Sequence, residues 1–117
     1  MTQYFTDAEF TCHGGCGKQG MAPGFILQLT RARERAGVPF VINSGYRCAA
    51  HNKRIGGSPT SSHLTGTAVD IAARSNTRRF RILDALLAEG FIRIGIGKTF
   101  IHADLDPRKA QKVVWLY

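Results

Sequence analysis

The chain has 117 residues, 44% of them hydrophobic and 21% charged, which suits one globular domain and excludes a disordered chain. Sixteen Lys and Arg against eight Asp and Glu give a net charge of +8, which favours a polyanionic partner: nucleic acid, an anionic membrane surface or an acidic wall polymer. No apolar run approaches the roughly 20 residues of a membrane span, no helix joins a basic stripe to a base-reading motif, and Met1 to Phe10 has neither a basic nor an apolar signal region. The expectations are synthesis in a cytoplasm without a signal peptide, no stable membrane insertion and no nucleic-acid partner.

Thr6 to Phe10 predicts a short capped helical turn, since an N-cap oxygen followed by carboxylates suits a helix start. Cys12 to Gly20, with four glycines, predicts a loop. A longer helix follows from Pro23 to just before Gly37, with Phe25, Ile26, Leu29, Ala32 and Ala36 at core-facing spacing. Val38 to Ile42 is an apolar run that predicts a buried strand, delivering Ser44 to Arg47 into a loop. Cys48 to Ile55 predicts one or two helical turns closed by Gly56-Gly57, and Ser58 to Thr67 a loop. Ala68 to Ala72 predicts a short strand. Thr77 to Glu89 predicts a helix stopped by Gly90, with Phe80, Leu83, Leu86 and Leu87 inward. Phe91 to Gly97, Thr99 to Leu105 and Val113 to Tyr117 are further strands, the first two joined by a turn at Gly97-Lys98. The order predicts an α+β domain: a small antiparallel sheet with helices packed on one face.

The three cysteines, Cys12, Cys16 and Cys48, cannot form a complete disulfide framework. Free thiols, or one disulfide with one spare thiol, are the plain readings. Cys12-His13-Gly-Gly-Cys16, with Cys48, offers a second, structural zinc site as the alternative.

Catalytic zinc takes three protein ligands, usually His and carboxylate, and leaves a position open. His63 and Asp70 flank Gly66, where the backbone can turn sharply. Asp70 lies between Val69 and Ile71 on a predicted strand, and His102 lies inside the apolar Phe100-Ile-His-Ala. A carboxylate in such a place is costly to bury unless a metal or cation pairs with it. Each residue alone also reads as a structural group: an exposed His63, an Asp70 paired with Arg74, a hydrogen-bonded core His102.

Taken together, Ser44-Gly-Tyr-Arg47, Ser62-His63-Leu-Thr-Gly66-Thr-Ala68-Val-Asp70 and His102-Ala-Asp104 resemble the zinc D-Ala-D-Ala carboxypeptidase family, which includes phage endolysins. The resemblance runs from about Phe10 to Pro107 and is nearest to the short phage-encoded branch. It implies one catalytic Zn2+ held by His63, Asp70 and His102, with Arg47 near the substrate carboxylate or the developing oxyanion. It also implies the small fold shared with the zinc-binding domain of hedgehog proteins, and a monomer acting on the peptides of bacterial peptidoglycan. Many members place a Glu or Asp base three residues before the last zinc histidine. Here that residue is Thr99. Asp104, two residues beyond His102, shares its strand face and takes the role of general base in this reading. Tyr46, Ser62 and Thr65 are candidates for substrate or supporting contacts.

The implied function is zinc-dependent hydrolysis of a peptidoglycan peptide bond, by an endopeptidase or a D,D-carboxypeptidase, reached after holin-mediated release or as part of a virion. The rival expectations are a wall-digesting tail or morphogenesis component and a catalytically inactive, zinc-containing wall-binding module.

Overall fold

The structure is a computed structural model and describes residues 5–117. Helix α1 (Asp7–Phe10) is a single turn in which the Thr6 amide donates to Glu9 Oε2 at 2.6 Å, so the helix start is satisfied by its own side chain. Helix α2 (Pro23–Ala36) begins on its proline and ends at Gly37, whose φ of 68° is left-handed. Its Phe25, Leu29, Ala32 and Ala36 are buried and Ile26 packs beside them, as the spacing predicts.

Strand β1 (Ile42–Ser44) begins later than the apolar run from Val38. Pro39 has no amide hydrogen to give a ladder, and Val41 contributes only its carbonyl, which accepts from Ala72 at 2.9 Å. Helix α3 (Ala49–Arg54) follows the Arg47 loop. The Ser58 to Thr67 stretch is a loop, as predicted, with one 3-10 turn inside it at Ser62–Thr65. Gly66 closes that turn at φ 69°, and a Cβ there would lie 1.9 Å from the Gly20 carbonyl oxygen. The Ala22 amide donates to the Gly66 carbonyl at 3.0 Å.

Strand β2 (Ala68–Ala72) leads to helix α4 (Asn76–Ala88), whose start is capped by Ser75. The inward stripe of α4 is Ile82, Ala85 and Leu86, while Phe80 is 70% exposed and Leu87 is 45% exposed. Phe80 and Leu87 therefore turn outward against the expectation, while Leu83 packs against the core beside Leu86 as expected. Leucine and phenylalanine lie on both sides of this helix, and Ile82-Ala85-Leu86 is the set spaced to meet α2 and β4.

Strands β3 (Arg93–Ile96), β4 (Phe100–Asp104) and β5 (Val113–Leu116) complete a five-stranded sheet ordered β1-β2-β4-β3-β5. The α+β class is as expected, but the sheet is mixed: β3 pairs with β5 in parallel and the other pairings are antiparallel. The loop from Leu105 to Lys112 carries the chain back along the sheet before β5 is laid down. Strand alternation gives the sheet two faces. Val69, Ile71, Ile94, Ile101 and Ala103 are fully buried in the core with α2 and α4. Asp70, Arg93, His102 and Asp104 lie on the other face.

Candidate active site

Strand register, more than any single motif, assembles the site. One rung across the sheet pairs Ser44 with Asp70, Asp70 with His102, His102 with Gly95 and Gly95 with Trp115. The next rung pairs Ala68 with Asp104, Asp104 with Arg93 and Arg93 with Val113. The 3-10 turn brings His63 over the first rung, with its ring 5.3 Å from that of His102.

His63, Asp70 and His102 each offer a ligand atom, and these atoms lie within 4.8 Å of one another. Asp70 Oδ1 is 2.9 Å from His102 Nδ1 and 3.4 Å from His63 Nε2. The remaining ring nitrogens are already held. His63 Nδ1 donates to the Gly45 carbonyl at 2.7 Å, and His102 Nε2 donates to Asp104 Oδ2 at 2.8 Å. Fixing the outer nitrogen of each ring turns the inner one towards a common centre, which is how metal-binding histidines are normally oriented. Two imidazoles and one carboxylate are also the donor set of a catalytic zinc, so these residues fit the ion.

Charge within the group is strongly coupled. Burial opposes the negative charge of Asp70, yet hydrogen bonds from His102 and His63 hold its carboxyl well below the usual carboxylate range. Burial pushes His102 down, while its bonds to Asp104 and Asp70 raise it above the ordinary imidazole value of 6.5. Asp104 is lowered against its burial by His102, by the Asp106 amide and by Arg93.

Asp104 is among the residues that line the cleft, and its carboxylate is already fully bonded. It is 1% exposed, and both carboxylate oxygens are engaged on the far side of the His102 ring. Oδ2 accepts from His102, and Oδ1 accepts from Arg93 Nε at 2.7 Å and from the Asp106 amide at 3.1 Å. Same-face geometry on β4 holds as expected, and the carboxylate is bonded along the strand to the histidine at the lining of the cleft. Thr99 lies in the turn before β4.

Arg47 reaches the site. Its Nη2 is 3.8 Å from Asp70 Oδ2, its Nη1 donates to Asn52 Oδ1 at 3.0 Å, and its side chain is 15% exposed. Asn52 is buried and donates in turn to the Ser58 carbonyl at 2.8 Å. Ser62 borders the cleft, but its hydroxyl donates to Asp106 Oδ2 at 2.8 Å and accepts from Lys109 Nζ at 2.9 Å. Tyr46 lies away from the cleft, packed on the core and against Gly20. Thr65 bonds within its own loop, donating to the Ser62 carbonyl.

The cleft has a volume of about 300 Å³, and its walls include Arg47, Lys109, Phe100, Trp115 and Tyr117. Sequence reasoning missed Asn52, Arg93, Lys109, Trp115 and Tyr117. The signal for two of them was alternation: Arg93 and Trp115 fall on the same face as His102 once register is known. Arg93 lies 5.0 Å from the Trp115 ring centre, so one side chain both anchors Asp104 and supports the cleft wall. Gly95 makes room for that wall, since a Cβ there would stand 2.6 Å from both the Trp115 and Tyr117 rings.

A model of the peptidase M15 family matches residues 3–104. Among solved structures, the L-Ala D-Glu endopeptidase ChiX of Serratia marcescens is similar, with a TM-score of 0.54 and 27% identity over 76% of this chain and 83% of that one. No curated protein matches the chain significantly.

Proposed function

The chain belongs to the peptidase M15 family, and from that premise we propose that it is a zinc-dependent endopeptidase of bacterial peptidoglycan, cutting the L-Ala–D-Glu bond of the stem peptide. The observation that carries the reading is the convergence of His63, Asp70 and His102 at the foot of a cleft walled by Arg47, Lys109 and aromatic rings. The bond is suggested by the similarity to ChiX, an L-Ala D-Glu endopeptidase. The charge of +8 supports docking on an anionic wall.

His63, Asp70 and His102 would hold the ion. Zinc there would polarise the scissile carbonyl and make water a nucleophile at neutral pH. The chain's own groups bind and orient. The planar fork of Arg47, braced by Asn52, holds a substrate carboxylate or stabilises the oxyanion as it develops. Lys109 adds a second positive charge at the rim. Phe100, Trp115 and Tyr117 give the peptide an apolar wall and exclude water from one side. Asp104 keeps a proton on His102 Nε2 and thereby keeps Nδ1 facing inward. It acts through the histidine as a positioning residue and is not the base.

The test is mass spectrometry of purified sacculi after digestion with the zinc-loaded protein. The expected products are glycan fragments ending in L-Ala and released peptides that begin with D-Glu. Release of terminal D-Ala alone would replace this reading with a D,D-carboxypeptidase. Intact sacculi that nonetheless bind the protein would replace it with a wall-binding module.

A further inference from the structure

We propose that Cys12, Cys16 and Cys48 form a second metal site, a structural thiolate centre for a zinc-like cation beside the Arg47 loop and outside the lining of the cleft. The three sulfurs lie within 4.8 Å of one another, although Cys48 is 36 residues from Cys12 in the chain. A tetrahedral ion with metal–sulfur bonds of about 2.3 Å sets its sulfurs about 3.8 Å apart. Cys12 Sγ and Cys48 Sγ are 3.6 Å apart. That separation is well beyond a disulfide bond of about 2.05 Å, and a disulfide would use only two of three converging thiols.

The backbone is arranged for a charged sulfur. The amides of Gly14 and Cys48 both donate to Cys12 Sγ, each at 3.4 Å. Cys12 is buried, and a buried thiolate requires a positive partner close by. The Cys12–Lys18 loop is folded back on itself, with the Cys12 amide donating to the Lys18 carbonyl at 3.0 Å. Gly15 and Gly17, at φ 86° and 73°, flank Cys16 and give the loop the left-handed turns that present its sulfur inward.

The spacing extends the same pattern. Cys12-x3-Cys16 is a ligand spacing typical of structural zinc. Gly14 packs on His51, because a Cβ on Gly14 would meet the His51 Cβ at 2.5 Å. Cys16 is exposed, so a water can complete the tetrahedron.

The place in the fold says what such an ion would do. Cys48 directly follows Arg47, and the Tyr46 amide donates to the Phe10 carbonyl at 3.0 Å. An ion joining Cys12 to Cys48 would fasten the segment after α1 to the loop that supplies Arg47 and the Gly45 carbonyl. This staple is independent of the proposed peptidase activity.

Metal analysis of the full chain, purified under reducing conditions, tests the proposal. Two zinc ions per chain are expected for the native protein, one for His102→Ala and one for Cys12→Ser. Cobalt-loaded His102→Ala should show thiolate-to-cobalt charge-transfer absorption, which His and Asp ligands alone do not give. Should Cys12→Ser fail to fold, titration of His102→Ala with an organomercurial keeps the test: one zinc should be released as the thiols are consumed. A metal-free His102→Ala with three reactive thiols, or with a Cys12–Cys48 disulfide, overturns it.

Discussion

Ile101 and His102 are consecutive residues of β4, and they belong to two different kinds of structure. Ile101 faces α2 and α4 among Val69, Ile71, Ile94 and Ala103, all without exposure. His102 faces Asp70, Asp104 and the rings of Trp115 and Tyr117. The first is closed to solvent, and the second opens on the cleft. On the first, nothing but shape and apolar area decides the fit, and neighbours can exchange roles at modest cost. On the second, most buried polar atoms have an assigned partner, and removing one partner strands another. The same sheet therefore joins a tolerant face that supplies stability to an exacting one that supplies chemistry.

The sharpest way to break this comparison is to truncate both neighbours. His102→Ala should reduce hydrolysis to background and remove the zinc held with His63 and Asp70, with a smaller effect on the fold. Ile101→Ala should cost about 2–5 kcal/mol of stability through the cavity it leaves, while the folded fraction keeps its metal and turnover. Calorimetry together with metal analysis checks the pair. If Ile101→Ala loses its zinc while still folded, the two faces are not separable.

Arg47→Lys comes next in size. Lysine lacks the planar fork, so turnover should fall by about 10²–10³-fold, the range for loss of one oxyanion donor. Zinc content should not change. Turnover near that of the native protein would leave Arg47 as a brace for Asn52 only.

Asp104→Asn separates two roles for one carboxylate. If Asp104 orients His102, zinc affinity should fall by about 10- to 100-fold, and excess zinc should restore most of the activity. Unchanged zinc affinity with turnover down by about 10²–10⁴-fold would return the residue to the role of base.

The smallest effect is on stability against pH in the metal-free protein. Burial opposes the charges of Asp70 and Asp104, but their hydrogen bonds lower both from 3.8, so their contribution is present above that value and is lost as pH falls. His102, raised from 6.5 by Asp104 and Asp70 against its burial, contributes fully below that value and loses its contribution as pH rises. The denaturation midpoint should be flat between 3.8 and 6.5 and fall on either side. Zinc should abolish the alkaline decline, because the ion takes the place of the proton. A metal-free midpoint that climbs between about pH 6 and 8, the histidine range, would contradict the charge pattern.

How far these features could be read beforehand depended on distance along the chain. The α2 helix, β2 and the ligand set rest on local patterns: Pro23 before the apolar stripe, Gly37 after it, alternation around Asp70. The stripe on α4 was ambiguous because Phe80 and Ile82 both continue to apolar residues, and only α2 and β4 choose between them. The parallel β5 and the Trp115 wall depend on how Leu105 to Lys112 routes the chain, which periodicity does not encode. Alternation puts Asp104 on the face of His102, but its bonding is set by Arg93, 11 residues earlier and adjacent only through strand pairing.

Gly66 stands between His63 and Asp70, and its glycine is required by the neighbouring Gly20 backbone and by a left-handed φ. Nothing about that requirement involves metal or substrate. A descendant of this fold that had discarded hydrolysis and kept only its shape would still need glycine here, while His63, Asp70 and His102 would be free to drift. In any survey of related sequences, therefore, the glycine reports inheritance of the scaffold, and only the three ligands report retention of the trade.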